Sequence, residues 1–317
     1  MQALEGIITK GVGGLYEVRP LSAPAERVYL CRARGVFRHE KLTPLPGDTV
    51  SIVPAEEGSD EYVIDVILPR RCALIRPAVA NLTHLFVVIP AARPEPDLLT
   101  ADKLISIAEY CGIEPVIVVS KADLAPDKAA EILAAYRLGG FDAFALSAVS
   151  GDGIPALDDY IRALGADGKT AVAAFAGASG AGKSTLLSRL FPEMHFATGS
   201  VSRKTERGRH TTREVELFPA GGAVMVADTP GFSMLDFTRF NFYPSAALPL
   251  TFREFVPHLG NCRYTKCTHT KEEDCAVLAA VSRGEISRSR HASYCALFED
   301  FRQKPDWKRR QEGMLNE

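Results

Sequence analysis

At 317 residues, 46% of them hydrophobic, the chain is long enough for two or three folded domains and too apolar for a disordered one. Its formal net charge of -2 excludes a uniformly basic nucleic-acid coat, so any contact with nucleic acid must use local basic patches. The opening MQALEGIITKGVGGLYEV has no charged start followed by an apolar stretch, and no apolar run is long enough to span a bilayer, so a cytoplasmic protein with no membrane partner is expected.

From Gly6 to about Pro77, short β-rich runs (GIITK, GLYEVRP, RVYLCRARGVF, DTVSIVP, YVIDVIL) alternate with turns. Their spacing predicts a small five-stranded barrel of the OB type, an architecture that often binds oligonucleotides; a small β-domain with no ligand is the plainer alternative. The GVGG at Gly11 to Gly14 reads as a hairpin turn, because no helix pattern follows it. From Leu85 the texture changes. Apolar strands (HLFVVIP, PVIVVS, FAL, AVAAFAG, EVELFP, GAVMVADTP) alternate with helical patterns around Ala101 to Tyr110, Lys128 to Leu138 and Ala156 to Leu164, and from Lys183 onward. Such alternation predicts a largely parallel sheet with helices on both faces. Beyond about Phe240 strand signals fade and helical pieces surround a Cys/His cluster. The expected fold is therefore multidomain α/β: a barrel over 1–77, an α/β domain over 78–240 and a helical metal-binding domain over 241–317.

Gly177, Ala178, Ser179, Gly180, Ala181, Gly182, Lys183, Ser184 and Thr185 satisfy G-x-x-x-x-G-K-[ST] between an apolar strand and a helix pattern. Glycines let the backbone wrap closely around phosphate oxygens, so that successive N–H groups and the helix N-terminus face the anion. Lys183 is placed to bridge the β- and γ-phosphates, and the Ser184 hydroxyl to ligate magnesium. Further on, GGAVMVA ends at Asp228, Thr229, Pro230 and Gly231, a D-x-x-G element that brings a carboxylate near magnesium and a glycine amide near the γ-phosphate. The polar segment TGSVSRKTERGRHTTRE between them stands where a first switch loop belongs. Thr211 or Thr212 supplies its magnesium-binding threonine, with Thr212 preferred; a merely solvated loop is the alternative.

Before the phosphate loop comes Ser120, Lys121, Ala122, Asp123 at the end of the strand PVIVV, similar to the N-K-x-D guanine motif. One carboxylate at Asp123 accepts from both guanine donors, N1–H and the 2-amino group, whereas adenine offers an acceptor at N1 and is repelled. Lys121 lies over the base with its aliphatic stem. Ser120 stands where the motif usually has Asn, so the side-chain amide that braces the base pocket is absent. Ser147 and Ala148, after the strand FAL, match the S-A-x loop whose backbone meets guanine O6. The order base motif, base loop, phosphate loop, switch threonine, D-x-x-G is a rotation of the usual GTPase order. The chain therefore reads as a circularly permuted GTPase.

Together with RGVFR and PLPGDTV in the barrel, the IRP lead-in, GASGAGKST, GRHTT, DTPGF and the C-terminal Cys/His cluster, these motifs closely resemble the ribosome small-subunit-dependent GTPase A family over nearly the whole chain. The resemblance implies a bacterial factor that binds the 30S subunit and its 16S rRNA late in assembly and hydrolyses GTP to GDP slowly until the subunit stimulates it. Because GFSMLDF leads straight into the C-terminal region, the second switch is covalently tied to that region, and loss of the γ-phosphate is expected to move it relative to the barrel. Phe232 follows D-x-x-G where many GTPases carry the glutamine that orients the attacking water, so a slow basal rate is expected. The catalytic candidates are His210, Lys183 and Thr212, with His210 alternatively structural or RNA-contacting.

The seven cysteines are an odd number spread along the chain, unlike a disulfide framework. Cys262, Cys267, His269 and Cys275 form C-x4-C-x-H-x5-C, a Cys3His set suited to one structural tetrahedral zinc; His258 and His291 are the nearby alternates, and Cys295 reads as a core thiol. Arg283, Arg288, Arg290, Lys304, Lys308, Arg309 and Arg310 follow, with Trp307 among them, and suit either rRNA phosphates or a solvated helix face. A nucleic-acid module in which nucleotide only locks a conformation, and an ATP-using kinase, are the competing readings. The simplest oligomeric expectation is a monomer.

Overall fold

The computed structural model describes residues 3–22, 27–39, 42–56, 59–75, 77–166, 168–194, 215–228 and 243–303. Strands β1 (Leu4–Val12), β2 (Leu15–Pro20), β3 (Tyr29–Ala33), β4 (Thr49–Pro54) and β5 (Tyr62–Ile67) close into a barrel in the order β1-β2-β3-β5-β4, with the short helix α1 (Val36–His39) after β3. All pairs are antiparallel except β3 with β5. Alternate residues point inward along each strand, and Ile8, Val18, Cys31, Val50, Ile52 and Ile64 fill the interior. Between β1 and β2 the chain reverses through Gly13 and Gly14, both at positive φ (60° and 85°), as a two-residue hairpin requires. Gly13 and Gly14 thus make the expected turn, while Gly11 and Val12 belong to β1 and pair with Tyr16 and Leu15.

The barrel is joined to the next unit by a small hairpin, β6 (Ala73–Ile75) and β7 (Ala78–Ala80). Gly47, in the PLPGD segment, sits at φ +93° with its α-carbon so close to β7 that a Cβ would lie 2.0 Å from the Ala80 carbonyl oxygen. The adjoining Asp48 is fully buried. Its carboxylate accepts from Arg70 Nε and Nη2 and from the Leu45 N–H, each at 2.7 Å. On the far side, Lys10 of β1 pairs with Glu216 at 2.7 Å.

The central sheet contains β8 (His84–Pro90), β9 (Glu114–Ser120), β10 (Ala143–Ala145), β11 (Ala171–Ala176), β12 (Glu216–Pro219) and β13 (Val224–Asp228) in the order β10-β9-β8-β11-β13-β12. It is parallel except for β12, which pairs antiparallel with β13. Burial on both faces explains the unbroken apolar runs. On one face Val87, Ile117 and Ala174 meet α2 (Leu98–Tyr110) and α3 (Pro126–Leu138); on the other Phe86, Val118 and Phe175 meet α4 (Ile154–Ala163) and α5 (Lys183–Leu190). Helix α2 starts where the Asp97 carboxylate caps the Thr100 N–H at 2.9 Å, and α3 starts on Pro126, whose missing N–H costs nothing in the first turn.

After β13 the described chain resumes with 3-10 turns at Ser245–Thr251 and Val256–His258, then α6 (Ala276–Arg283) and α7 (Arg288–Gln303). Phe252, Phe255, Tyr294, Leu297 and Phe301 extend the same core that lies under α2. At its centre is Arg290, which is 1% exposed and therefore unable to track RNA phosphates as the sequence allowed. Its Nη1 donates to Asp102 Oδ1 of α2 at 2.6 Å, and its Nε and Nη2 donate to Glu254 at 2.7 and 3.2 Å. Tyr136 of α3 adds a 2.9 Å bond to Asp102, and the guanidinium lies 4.5 Å from the Phe252 ring centroid. Arg283 pairs with Glu285, while Arg288 is exposed. Residues 304–310 lie outside the described residues. Among the described residues no helix is long and apolar enough to cross a membrane.

Removing one member of a buried charge cluster strands the others in low dielectric. The Arg290→Met variant is therefore expected to lose about 3–5 kcal/mol of stability. Urea denaturation followed by circular dichroism checks this, and an unchanged midpoint contradicts it.

Candidate functional site

Because β8, β9, β10 and β11 run the same way, the loops leaving their C-terminal ends gather along one edge of the sheet, where open α/β sheets bind ligands. The loop 177–182 leaves β11 through Gly177, whose φ is +145° and whose missing Cβ would otherwise lie 2.2 Å from the Val88 carbonyl oxygen of β8. Only glycine allows that approach. Ala178, Ser179 and Gly180 carry the loop outward; Ala181 returns to the interior, its N–H donating to Ala178 O at 3.2 Å. Gly182, at φ +91°, caps α5, which opens on Lys183, Ser184 and Thr185 with no acidic side chain in its first turn. The free N–H groups of that turn favour an anion. Lys183 folds back over the loop, donating to Gly177 O and Ala178 O at 2.8 Å each, and burial lowers the pKa of its ammonium.

The base motif lands on this loop directly. Ser120, at the end of β9 and 3% exposed, donates its hydroxyl proton to Ala181 O at 2.6 Å. Lys121, at φ +56°, sends its ammonium to Gly180 O at 2.8 Å and to Arg93 O. Two residues on, Asp123 sits exposed in the 3-10 turn Ala122–Leu124. Where the motif usually carries an amide, a hydroxyl here ties the end of β9 to the phosphate loop.

Ser147 and Ala148 lie beside the same motif, with Leu146 O accepting from Ala122 N–H at 3.1 Å. The loop is drawn into shape by its carbonyls: Ser147 O accepts from Gly151 N–H at 2.8 Å, and Ala148 O and Val149 O accept from Arg189 of α5 at 3.1 and 3.5 Å. A trans peptide points its N–H opposite its C=O. The Ala148 and Val149 N–H groups therefore point away from Gly151 and Arg189 respectively, and no described residue accepts from either. Sequence reasoning missed Arg189, since an exposed arginine on a helix carries no signal of its carbonyl partners.

Asp228 closes β13, one residue beyond the Ala174–Ala227 register pair, which brings its backbone to the same sheet edge. His210, Thr211, Thr212, Gly231 and Phe232 lie outside the described residues.

The ligand atoms of Cys262, Cys267, His269 and Cys275 all lie within 4.8 Å of one another. Cys262 Sγ is 3.6 Å from His269 Nδ1 and 3.8 Å from Cys275 Sγ, and Cys275 Sγ is 3.6 Å from His269 Nδ1. Ligands at ordinary Zn–S and Zn–N lengths stand about 3.5–3.8 Å apart along tetrahedral edges, so the set fits one zinc. His291 is not a ligand in this arrangement; its Nε2 lies 2.8 Å from the His269 carbonyl oxygen, while Tyr294 donates to Thr268 O at 2.9 Å. These bonds fix the ligand loop from α7, and the Ala276 N–H donates to Cys262 Sγ at 3.3 Å. His258 faces Glu285 instead, and Cys295 rests beside His291.

Comparison with known proteins agrees with this architecture. The RsgA GTPase family model matches residues 67–238 and the RsgA N-terminal domain model matches residues 5–63. The small ribosomal subunit biogenesis GTPase RsgA of Ruminiclostridium cellulolyticum is 38% identical over 303 residues, covering 96% of this chain and 95% of its own. Its counterpart in Moorella thermoacetica is 42% identical over 293 residues, covering 92% and 95%. Among solved structures, YjeQ from Thermotoga maritima superposes with a TM-score of 0.77 at 30% identity, covering 94% of this chain and 98% of that one. YloQ, a circularly permuted GTPase, superposes at 0.74 and 32% identity, covering 95% and 96%. With the motif order, the strand order and these matches in agreement, the chain belongs to the RsgA GTPase family: it is a circularly permuted GTPase that hydrolyses GTP.

Proposed function

We propose that this GTPase is a late-acting assembly factor of the small ribosomal subunit, binding the 30S particle and its 16S rRNA in the cytoplasm as a monomer and hydrolysing GTP when the subunit stimulates it. The observation that supports its nucleotide site is the contact of Ser120 and Lys121 with Ala181 and Gly180, which brings the S-K-A-D segment against the phosphate loop. Asp123 and the amides of Ala148 and Val149 receive guanine; the amides of Gly182 and of the first turn of α5 and the Lys183 ammonium receive the phosphates. The Lys183 ammonium donates to carbonyls of the phosphate loop itself, which holds its charge beside the amides that receive the anion.

Ser184, Thr212 and Asp228 are the magnesium ligands in this reading, and the metal supplies charge neutralisation at the β- and γ-phosphates. His210 positions the attacking water, which Phe232 cannot do. Cys262, Cys267, His269 and Cys275 hold a structural zinc. RNA contact is assigned to the barrel (1–77) and the zinc-binding region (241–317), with the GTPase domain (78–240) between them. Support for the ribosomal role comes from relatives named small ribosomal subunit biogenesis GTPase that align along nearly the whole chain.

Titrating purified 30S subunits into a GTP hydrolysis assay is expected to raise the rate by at least about tenfold, as trans stimulation does in slow GTPases; a flat response contradicts the role. In the same assay His210→Ala is expected to lose about 100-fold or more of the stimulated rate while GDP affinity stays within about twofold. Unchanged stimulated hydrolysis rules out the histidine. Asp123→Asn turns an acceptor into a donor, so preference is expected to move from GTP to XTP by at least about tenfold, measured by competition binding; retained GTP preference places the base elsewhere. Metal analysis is expected to find one zinc per chain, whose removal by a chelator lowers the thermal midpoint by at least about 5 °C. A midpoint that survives stripping contradicts a structural zinc.

A further inference from the structure

Guanine offers donors at N1 and the 2-amino group and acceptors at O6 and N7. Asp123 is an acceptor and suits the two donors. The N–H groups of Ala148 and Val149, from which no described residue accepts, suit O6. A reader of N7 has to donate a proton, and the side chain at position 120 is the natural source, since it stands at the strand end between the base motif and the phosphate loop.

Ser120 has one proton to give, and the structure places it on Ala181 O at 2.6 Å in a nearly closed environment. Turning that proton to N7 would leave the Ala181 carbonyl without its partner, so the exchange gains nothing. Lys121 is committed to the carbonyls of Gly180 and Arg93. The Ser120 bond also has a use of its own. With the Ala181 carbonyl held at β9, planarity turns the Gly182 N–H the opposite way, and no described residue accepts from it, which leaves it available to a phosphate oxygen.

We infer that Ser120 is a positioning residue of the phosphate loop, and that the pocket reads guanine through O6, N1 and the 2-amino group while leaving N7 unread. The inference rests on the guanine-site reading above. It is tested by equilibrium binding of GDP, 7-deaza-GDP and ADP to the full-length chain, the second ligand carrying a C–H in place of N7.

Wild-type protein is expected to bind 7-deaza-GDP within about twofold of GDP and ADP at least about 100-fold more weakly. For Ser120→Ala, affinity for GDP and 7-deaza-GDP is expected to fall by one common factor, about five- to tenfold, because the lost bond serves the phosphates and not the base. A loss of fivefold or more for 7-deaza-GDP on the wild type, or a fall in Ser120→Ala confined to GDP, overturns the inference while the guanine site stands. Equal binding of ADP and GDP sinks the guanine site itself, and the inference with it.

Discussion

Two hydrogen bonds hold together loops that are about sixty residues apart in the chain: Ser120 to the carbonyl of Ala181 and Lys121 to that of Gly180. Everything attributed to nucleotide binding depends on this contact, because it brings side by side what the sequence presents as separate motifs. The parallel sheet is what permits it. Strands running in one direction deliver their outgoing loops to a common edge whatever the order in which the chain visits them. Rotating the order of the motifs along the sequence therefore leaves the edge intact.

What the rotation changes is the company the sheet keeps. The chain that leaves β13 continues into the zinc-binding region, which is seated on α2 and α3 through Arg290, Asp102, Glu254 and Tyr136. A cluster of buried charges is a poor source of net stability, but separating its members leaves desolvated ions without partners. On the other side, the barrel touches the edge strand β12 through Lys10 and Glu216. The strand that follows residues 195–214 is thus the one in contact with the barrel, while the region that follows β13 is fastened to the helices over the opposite part of the sheet.

Local spacing made much of this legible in the sequence. The phosphate loop, S-K-A-D and the Cys3His set are each a few residues long, and their chemistry demands particular residue types at fixed intervals. The barrel was legible because period-2 runs are separated by turns, and Gly13 with Gly14 supplies one such reversal. The roles of Arg290, Arg189 and Ser120 were not. Arg290 sits in a run of cations that looks like a solvated or RNA-facing surface, and only its three-dimensional neighbours Asp102, Glu254 and Phe252 reveal a buried hub. Position 120 lacks the usual amide, yet the hydroxyl there reaches the phosphate loop at 2.6 Å. Partners distant in sequence leave no mark on local pattern, and burial of a polar side chain cannot be read from its type.

The most direct test of the account is a crystal structure of the chain with GDP bound. The account predicts the Asp123 carboxylate within about 3 Å of guanine N1 and the 2-amino nitrogen while the diphosphate lies on the amides of the phosphate loop beside Lys183. A nucleotide whose base lies out of reach of Asp123, with its phosphates on that loop or elsewhere, would contradict it.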